Sequence, residues 1–82
     1  MELDEIRKEL INRGLYTYTD GSKLRAGNHH GEEDGIITMR NIFALRQIGN
    51  DIQVDYLEGN RRLEKRFEKA TALFNFIGEN LE

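Results

Sequence analysis

The sequence predicts an α+β domain: an N-terminal helix, an antiparallel meander sheet of three to four strands, and a C-terminal helix, with the helices on one face of the sheet. Three observations carry this. Gly49-Asn50 and Gly59-Asn60 recur ten residues apart, each between runs with apolar residues at every second position. Glycine takes positive φ without steric cost and asparagine tolerates it, so both dipeptides suit the primed turns that join antiparallel strands. The two ends of the chain carry apolar residues at helical spacing instead.

At the N-terminal end, Leu3, Ile6, Leu10 and Ile11 form a helical stripe over residues 2 to 12. Glu2, Asp4 and Glu5 suit its positive end, and Arg13-Gly14 supplies a basic last turn and a C-cap. Leu15 to Thr19 alternates like a short strand, and Asp20-Gly21 follows as a turn signal. Residues 20 to 35 then read as a mobile polar loop, with Gly21, Gly27, Gly31 and Gly35 among Asn28, His29, His30, Glu32, Glu33 and Asp34.

The meander spans residues 42 to 67. Two-residue loops at the Gly-Asn pairs set Leu45 against Val54, Phe43 against Tyr56, Tyr56 against Leu63 and Ile52 against Phe67. One face then holds Phe43, Leu45, Ile52, Val54, Tyr56, Leu63 and Phe67. The other is mostly charged, with Ile42, Ala44, Ile48 and Leu57 as apolar exceptions. The register sets Asp55 against Glu64, an unfavourable pair.

A helical alternative competes for the end of the chain. Leu63, Phe67, Ala70, Phe74, Ile77 and Leu81 also make a helical stripe, which would join residues 61 to 81 in one helix. That helix would stack like charges four residues apart at Arg61/Lys65, Arg62/Arg66, Glu64/Glu68 and Lys65/Lys69. A strand to about Glu68, then a helix from Ala70 to Leu81 with Thr71 as its cap, avoids those pairs. Residues 39 to 48 pose a similar choice, because Thr38 could cap a helix and Gly49 could end it; a strand is the reading taken.

The chain has 82 residues, 38% hydrophobic and 33% charged, with a net charge of −3. That allows one domain with a modest core, spanning residues 1 to 82. There is no Cys, so disulfides and thiolate metal sites are excluded. The acidic start is wrong for a signal peptide, and no apolar run approaches the ~20 residues of a membrane span. A cytoplasmic protein is the expectation.

No motif carries recognisable chemistry. His29 and His30 lie near Glu32, Glu33 and Asp34, but adjacent histidines on an extended chain point to opposite sides, so no metal or other cofactor is expected. Ser22 and the two histidines sit on a glycine-rich stretch without the rigidity that catalysis needs, so an enzyme is not expected. Asp20-Gly21-Ser22-Lys23 lacks the glycine spacing of a phosphate loop.

Two surfaces remain. Residues 61 to 69 hold five cations against two anions. With Arg46, the residues Arg61, Arg62 and Arg66 are the candidate nucleic-acid contacts, and they would give weak, salt-sensitive phosphate binding. Ile42, Ala44, Ile48 and Leu57, together with Phe76 off the main helical stripe, are the candidate contacts for a protein partner or a second copy of the chain. A non-enzymatic protein-binding module, a small regulator or inhibitor, is the leading functional expectation, and nucleic-acid binding is the alternative.

The layout of helix, three-stranded meander and helix resembles the double-stranded-RNA-binding domain. In that family the second helix opens with a basic Lys-Lys-x-x-x-Lys type cluster, from which Glu68-Lys69-Ala70-Thr71-Ala72-Leu73 departs. The same order in a small acidic chain without Cys also resembles some phage-encoded inhibitor proteins, anti-CRISPR proteins among them. The first likeness implies RNA binding and the second implies inhibition of a protein target.

Overall fold

Helix α1 forms over Leu3–Asn12 and α2 over Ala70–Asn80, with five strands between them: β1 Tyr16–Asp20, β2 Lys23–Glu33, β3 Ile36–Ile48, β4 Asp51–Glu58 and β5 Arg61–Phe67. The computed structural model describes residues 1–82. All five strands join one antiparallel sheet in sequence order. The expected α+β class and helix positions hold, and the meander is longer than three to four strands.

The correction lies in residues 20 to 35. They are not a mobile loop: Lys23–Glu33 is the eleven-residue β2, paired with β1 on one side and β3 on the other. Few of its side chains favour a strand, but backbone hydrogen bonds to β1 and β3 along its inner half, and to β3 alone along its outer half, override weak propensity. Residues 61 to 69 also resolve as strand, with β5 ending at Phe67 and α2 starting at Ala70.

Each hairpin closes through two residues. Gly21, Gly49 and Gly59 have positive φ while Ser22, Asn50 and Asn60 do not, the pattern of a type II′ turn. Asp34-Gly35 has positive φ at both positions, 54° and 81°, as a type I′ turn requires.

The expected register holds at Leu45↔Val54, Tyr56↔Leu63, Ile52↔Phe67 and the unfavourable Asp55↔Glu64. The pair Phe43 and Tyr56 does not form, because the β3–β4 ladder begins at Ala44↔Asp55.

The core lies between the sheet and both helices. Ile6 and Leu10 of α1, Leu73 and Ile77 of α2, and Leu81 at the C-cap of α2 bury against Leu24, Ala26, Phe43, Leu45, Ile52, Val54 and Phe67. Burial of that apolar area is the main stabilising term. Ile11 is exposed, so the α1 stripe is narrower than its spacing suggests. The deep stripe of α2 is Leu73 and Ile77, continued by its C-cap Leu81, and Phe74 is half-buried beside it. Phe76 is not a surplus surface residue: its ring packs 5.0 Å from Tyr56 and 5.3 Å from Phe67, under the ammonium of Lys65.

Helix α1 ends on a left-handed glycine. Gly14 (φ 89°) donates its N–H to the Ile11 carbonyl, and Leu15 donates to Leu10. This is a Schellman arrangement whose apolar clasp, Leu10 with Leu15, belongs to the core. At the other end no side chain of α1 caps it. Gln47 of β3 does so from a distance, accepting the Leu3 N–H at 2.8 Å and donating to the Met1 and Gly49 carbonyls. The expected Thr71 cap of α2 is not used; Lys69 takes the N-cap position with no side-chain bond. No helix is long and apolar enough to cross a membrane.

Candidate protein-binding surface

β2 and β3 outrun their neighbours. β1 pairs with β2 only from Tyr16↔Gly27 to Asp20↔Lys23, and β4 pairs with β3 only from Ala44↔Asp55 to Ile48↔Asp51. Beyond those limits β2 and β3 continue as a two-stranded ribbon, closed at Asp34-Gly35. The β3 edge from Ile36 to Phe43 and the β2 edge from Asn28 to Glu33 have no strand beside them. An open edge presents unpaired backbone donors and acceptors to whatever approaches it.

Two irregularities redirect the ribbon where it leaves the sheet. The β2–β3 register shifts between Ala26 and Asn28 and again between His29 and Gly31. Asn41 adopts φ 55°, a left-handed conformation that Asn accepts more readily than most residues. The strands approach so closely that a Cβ on Gly27 would lie 2.9 Å from the Arg40 carbonyl oxygen and 3.2 Å from Cγ1 of Ile42.

The divergence of β3 from β4 opens a cleft of about 560 Å³. Met39 to Ile42 line one wall, Tyr56, Leu57 and Gly59 the other, and Asn80 to Glu82 close its base. Ile42 is 39% exposed and Leu57 59%. The structure therefore brings these two candidates together. Ala44 does not join them: it is 5% exposed, between Arg25 and Asp55 on the neighbouring strands. Ile48 is half-buried at the opposite end of β3, against Asp51.

Two residues of this surface fell outside the apolar pattern of the meander. Ile36 and Ile37, 68% and 45% exposed, stand at the ribbon tip beside Glu32, Glu33 and Asp34. Asp34-Gly35 was the signal that could have found them, since Asp-Gly ahead of β-branched residues marks a hairpin.

The four candidate nucleic-acid arginines do not form one free cationic face. Arg66 donates to Asp51 at 2.8 Å. Arg46 lies 3.4 Å from Asp55, with a buried Nε that finds no hydrogen-bond partner. Arg61 and Arg62 are exposed and unpaired, and as neighbours on a strand they face opposite sides of the sheet. Arg25 is also engaged: its hydrogen bond to Asp20 at 2.9 Å raises its pKa.

Exposed aromatics are present on β1. Tyr16 and Tyr18 are 40% and 46% exposed on the face away from the helices, opposite Gly27 and Arg25. The Tyr16 ring lies 5.3 Å from that of His29. His29 and His30 belong to no group of three or more side chains that could hold a metal ion. No family model, curated protein or solved structure matches the chain.

Proposed function

We propose that the protein is a non-enzymatic binding module, a small regulator or inhibitor, that takes up an extended protein segment in the cleft between β3 and β4. The observation that carries this reading is the coincidence of an open strand edge with exposed apolar side chains. The β3 edge from Ile36 to Phe43 offers main-chain hydrogen bonds. Ile42 and Leu57 offer apolar contact beside it. Strand addition uses that combination: the ladder supplies affinity, and alternate side chains supply selectivity.

Panning a library of displayed extended peptides against the protein tests this. The enriched sequences are expected to alternate apolar residues, and Ile42→Ser with Leu57→Arg should weaken their binding at least about tenfold with little change in melting. A library that enriches nothing, or peptides indifferent to those substitutions, overturns the reading.

A second reading rests on Tyr16 and Tyr18. Aromatic rings on an open sheet face can stack bases, each contributing about 1–3 kcal/mol. The pairing of Arg25, Arg46 and Arg66 with carboxylates counts against it. Anisotropy of labelled single-stranded oligonucleotides at low salt decides: binding lost in Tyr16→Ala with Tyr18→Ala supports stacking, and no binding removes it.

A further inference from the structure

We propose that the segment seated in the cleft is the ribbon of a second copy of this chain, so that two molecules exchange ribbon tips reciprocally. This rests on the reading of the cleft as a strand-binding site and names its occupant.

Register is the first argument. Antiparallel pairing of the open β3 edge with itself, about a two-fold axis at Met39, sets Thr38 opposite Arg40 and Ile36 opposite Ile42, with the left-handed Asn41 as a bulge opposite Ile37. The tip of one copy then reaches the place where β3 and β4 of the other diverge. Ile36 and Leu57, the two most exposed large apolar side chains in the molecule, come to the same cleft. Pairing of this kind is isologous and closes on itself, so it yields a dimer and not a fibre. It also removes an apolar open edge that would otherwise invite aggregation.

Charge is the second argument. The tip carries Glu32, Glu33 and Asp34, none of them in an ion pair. The cleft is bordered by Arg40, which lines it, and by Arg62, the cross-strand neighbour of Leu57 on the same face. These two arginines are also without ion pairs. An acidic, isoleucine-bearing tip therefore meets a cleft lined by Arg40, Ile42 and Leu57, in which the acidic lining residue, Glu82, is engaged by Arg13 at 3.9 Å. The match is found twice in the dimer, because each copy supplies one tip and one cleft. Complementary potentials of this kind fix partner and orientation.

The contact is small. One short ladder segment and two tip–cleft contacts should bury less than the ~800 Å² per partner of a standard complex, so a weak dimer is expected, with a dissociation constant of about 10–100 µM.

Charge reversal tests the proposal. Glu32→Arg with Glu33→Arg makes the tip basic against a basic rim. Arg40→Glu with Arg62→Glu makes the rim acidic against an acidic tip. Sedimentation velocity from about 1 to 300 µM should show the native chain dimerising and each double variant dimerising at least about tenfold more weakly. An equimolar mixture of the two variants should recover the dimer, because both tip–cleft contacts of the mixed pair join opposite charges. All four positions are exposed, so melting curves should confirm that each variant folds. The proposal is overturned by a native chain that stays monomeric across the range. It is also overturned by double variants that dimerise as well as the native chain, or by a mixture that does not recover. A monomeric chain that still selects alternating apolar peptides would leave the strand-binding reading standing, so the two failures are distinguishable.

Discussion

The β4–β5 hairpin and the β2–β3 ribbon are built from the same unit and differ in what covers them. β4 and β5 pair without interruption from Ile52↔Phe67 to Glu58↔Arg61, and Ile52, Val54 and Phe67 bury beneath the helices. β2 and β3 pair over a longer span, yet their register shifts twice and the outer half carries no core residue. In that outer half the side-chain hydrogen bond is Thr38 to the Gly31 carbonyl. Backbone pairing is common to both regions, so packing against the helices sets them apart. A strand pair without a covered face is marginal in water. The body should therefore set global stability while the ribbon opens at lower free energy.

The comparison breaks most severely if the body is weakened. Leu45→Ala removes a side chain with no solvent exposure from the centre of the sheet. The cost should be about 2–5 kcal/mol, a large part of a small domain's stability. A urea midpoint that moves little would mean that the core is not where global stability resides.

The junction between the two regions comes next. Gly27→Ala places a methyl 2.9 Å from the Arg40 carbonyl oxygen, a backbone atom that cannot step aside as a side chain can. The expected loss is about 1–3 kcal/mol. Amides on both sides of the bulge should exchange hydrogen faster than in the native chain. Unchanged stability would show that the strands can separate at the junction without disturbing the body.

Within the ribbon, the same kind of deletion should cost almost nothing. Ile36→Ser alters a side chain that is 68% exposed, and stability should stay within about 0.5 kcal/mol. Self-association should weaken at least about tenfold, as read by sedimentation velocity. A large fall in melting temperature would place Ile36 in the structural core and erase the distinction between the regions.

What the amino-acid sequence disclosed follows the same division. The Gly-Asn turns lie between runs whose alternation comes from burial on one face, so Leu45↔Val54 and Ile52↔Phe67 follow from spacing alone. β2 has only Leu24 and Ala26 as apolar residues, both at its inner end, and a strand without a buried face leaves no alternation to find. Phe43 misses Tyr56 because β3 turns aside around Asn41, and nothing in the residue types near Asn41 requires positive φ there. In the candidate surface, Ile42 and Leu57 were legible as apolar residues on a charged face. The expected register also set them opposite each other; the cleft between them was not legible, because it depends on that bend. Ala44 shows the converse, since an apolar residue on the outer face can be buried by its cross-strand neighbours.

The smallest expected effect comes from charge on the body. Asp4 lies in the first turn of α1, where Arg7 bonds its carboxylate at 3.0 Å and Lys8 approaches to 3.6 Å. The Arg7 hydrogen bond and charge hold its pKa below the ordinary 3.8. A carboxylate depressed in the folded state adds stability that is fully present above the ordinary value and is lost as the pH falls through the lower folded one. Asp4→Asn should therefore be slightly less stable than the native chain near neutral pH, and the difference should close on acidification below the ordinary carboxylate range. The pair is exposed, so the gap should be small and should shrink in salt. Because the ribbon carries no ion pair, its amide exchange should be the same in both chains. Ribbon exchange that follows the state of Asp4 would mean that the helix-covered body and the ribbon open as one cooperative unit.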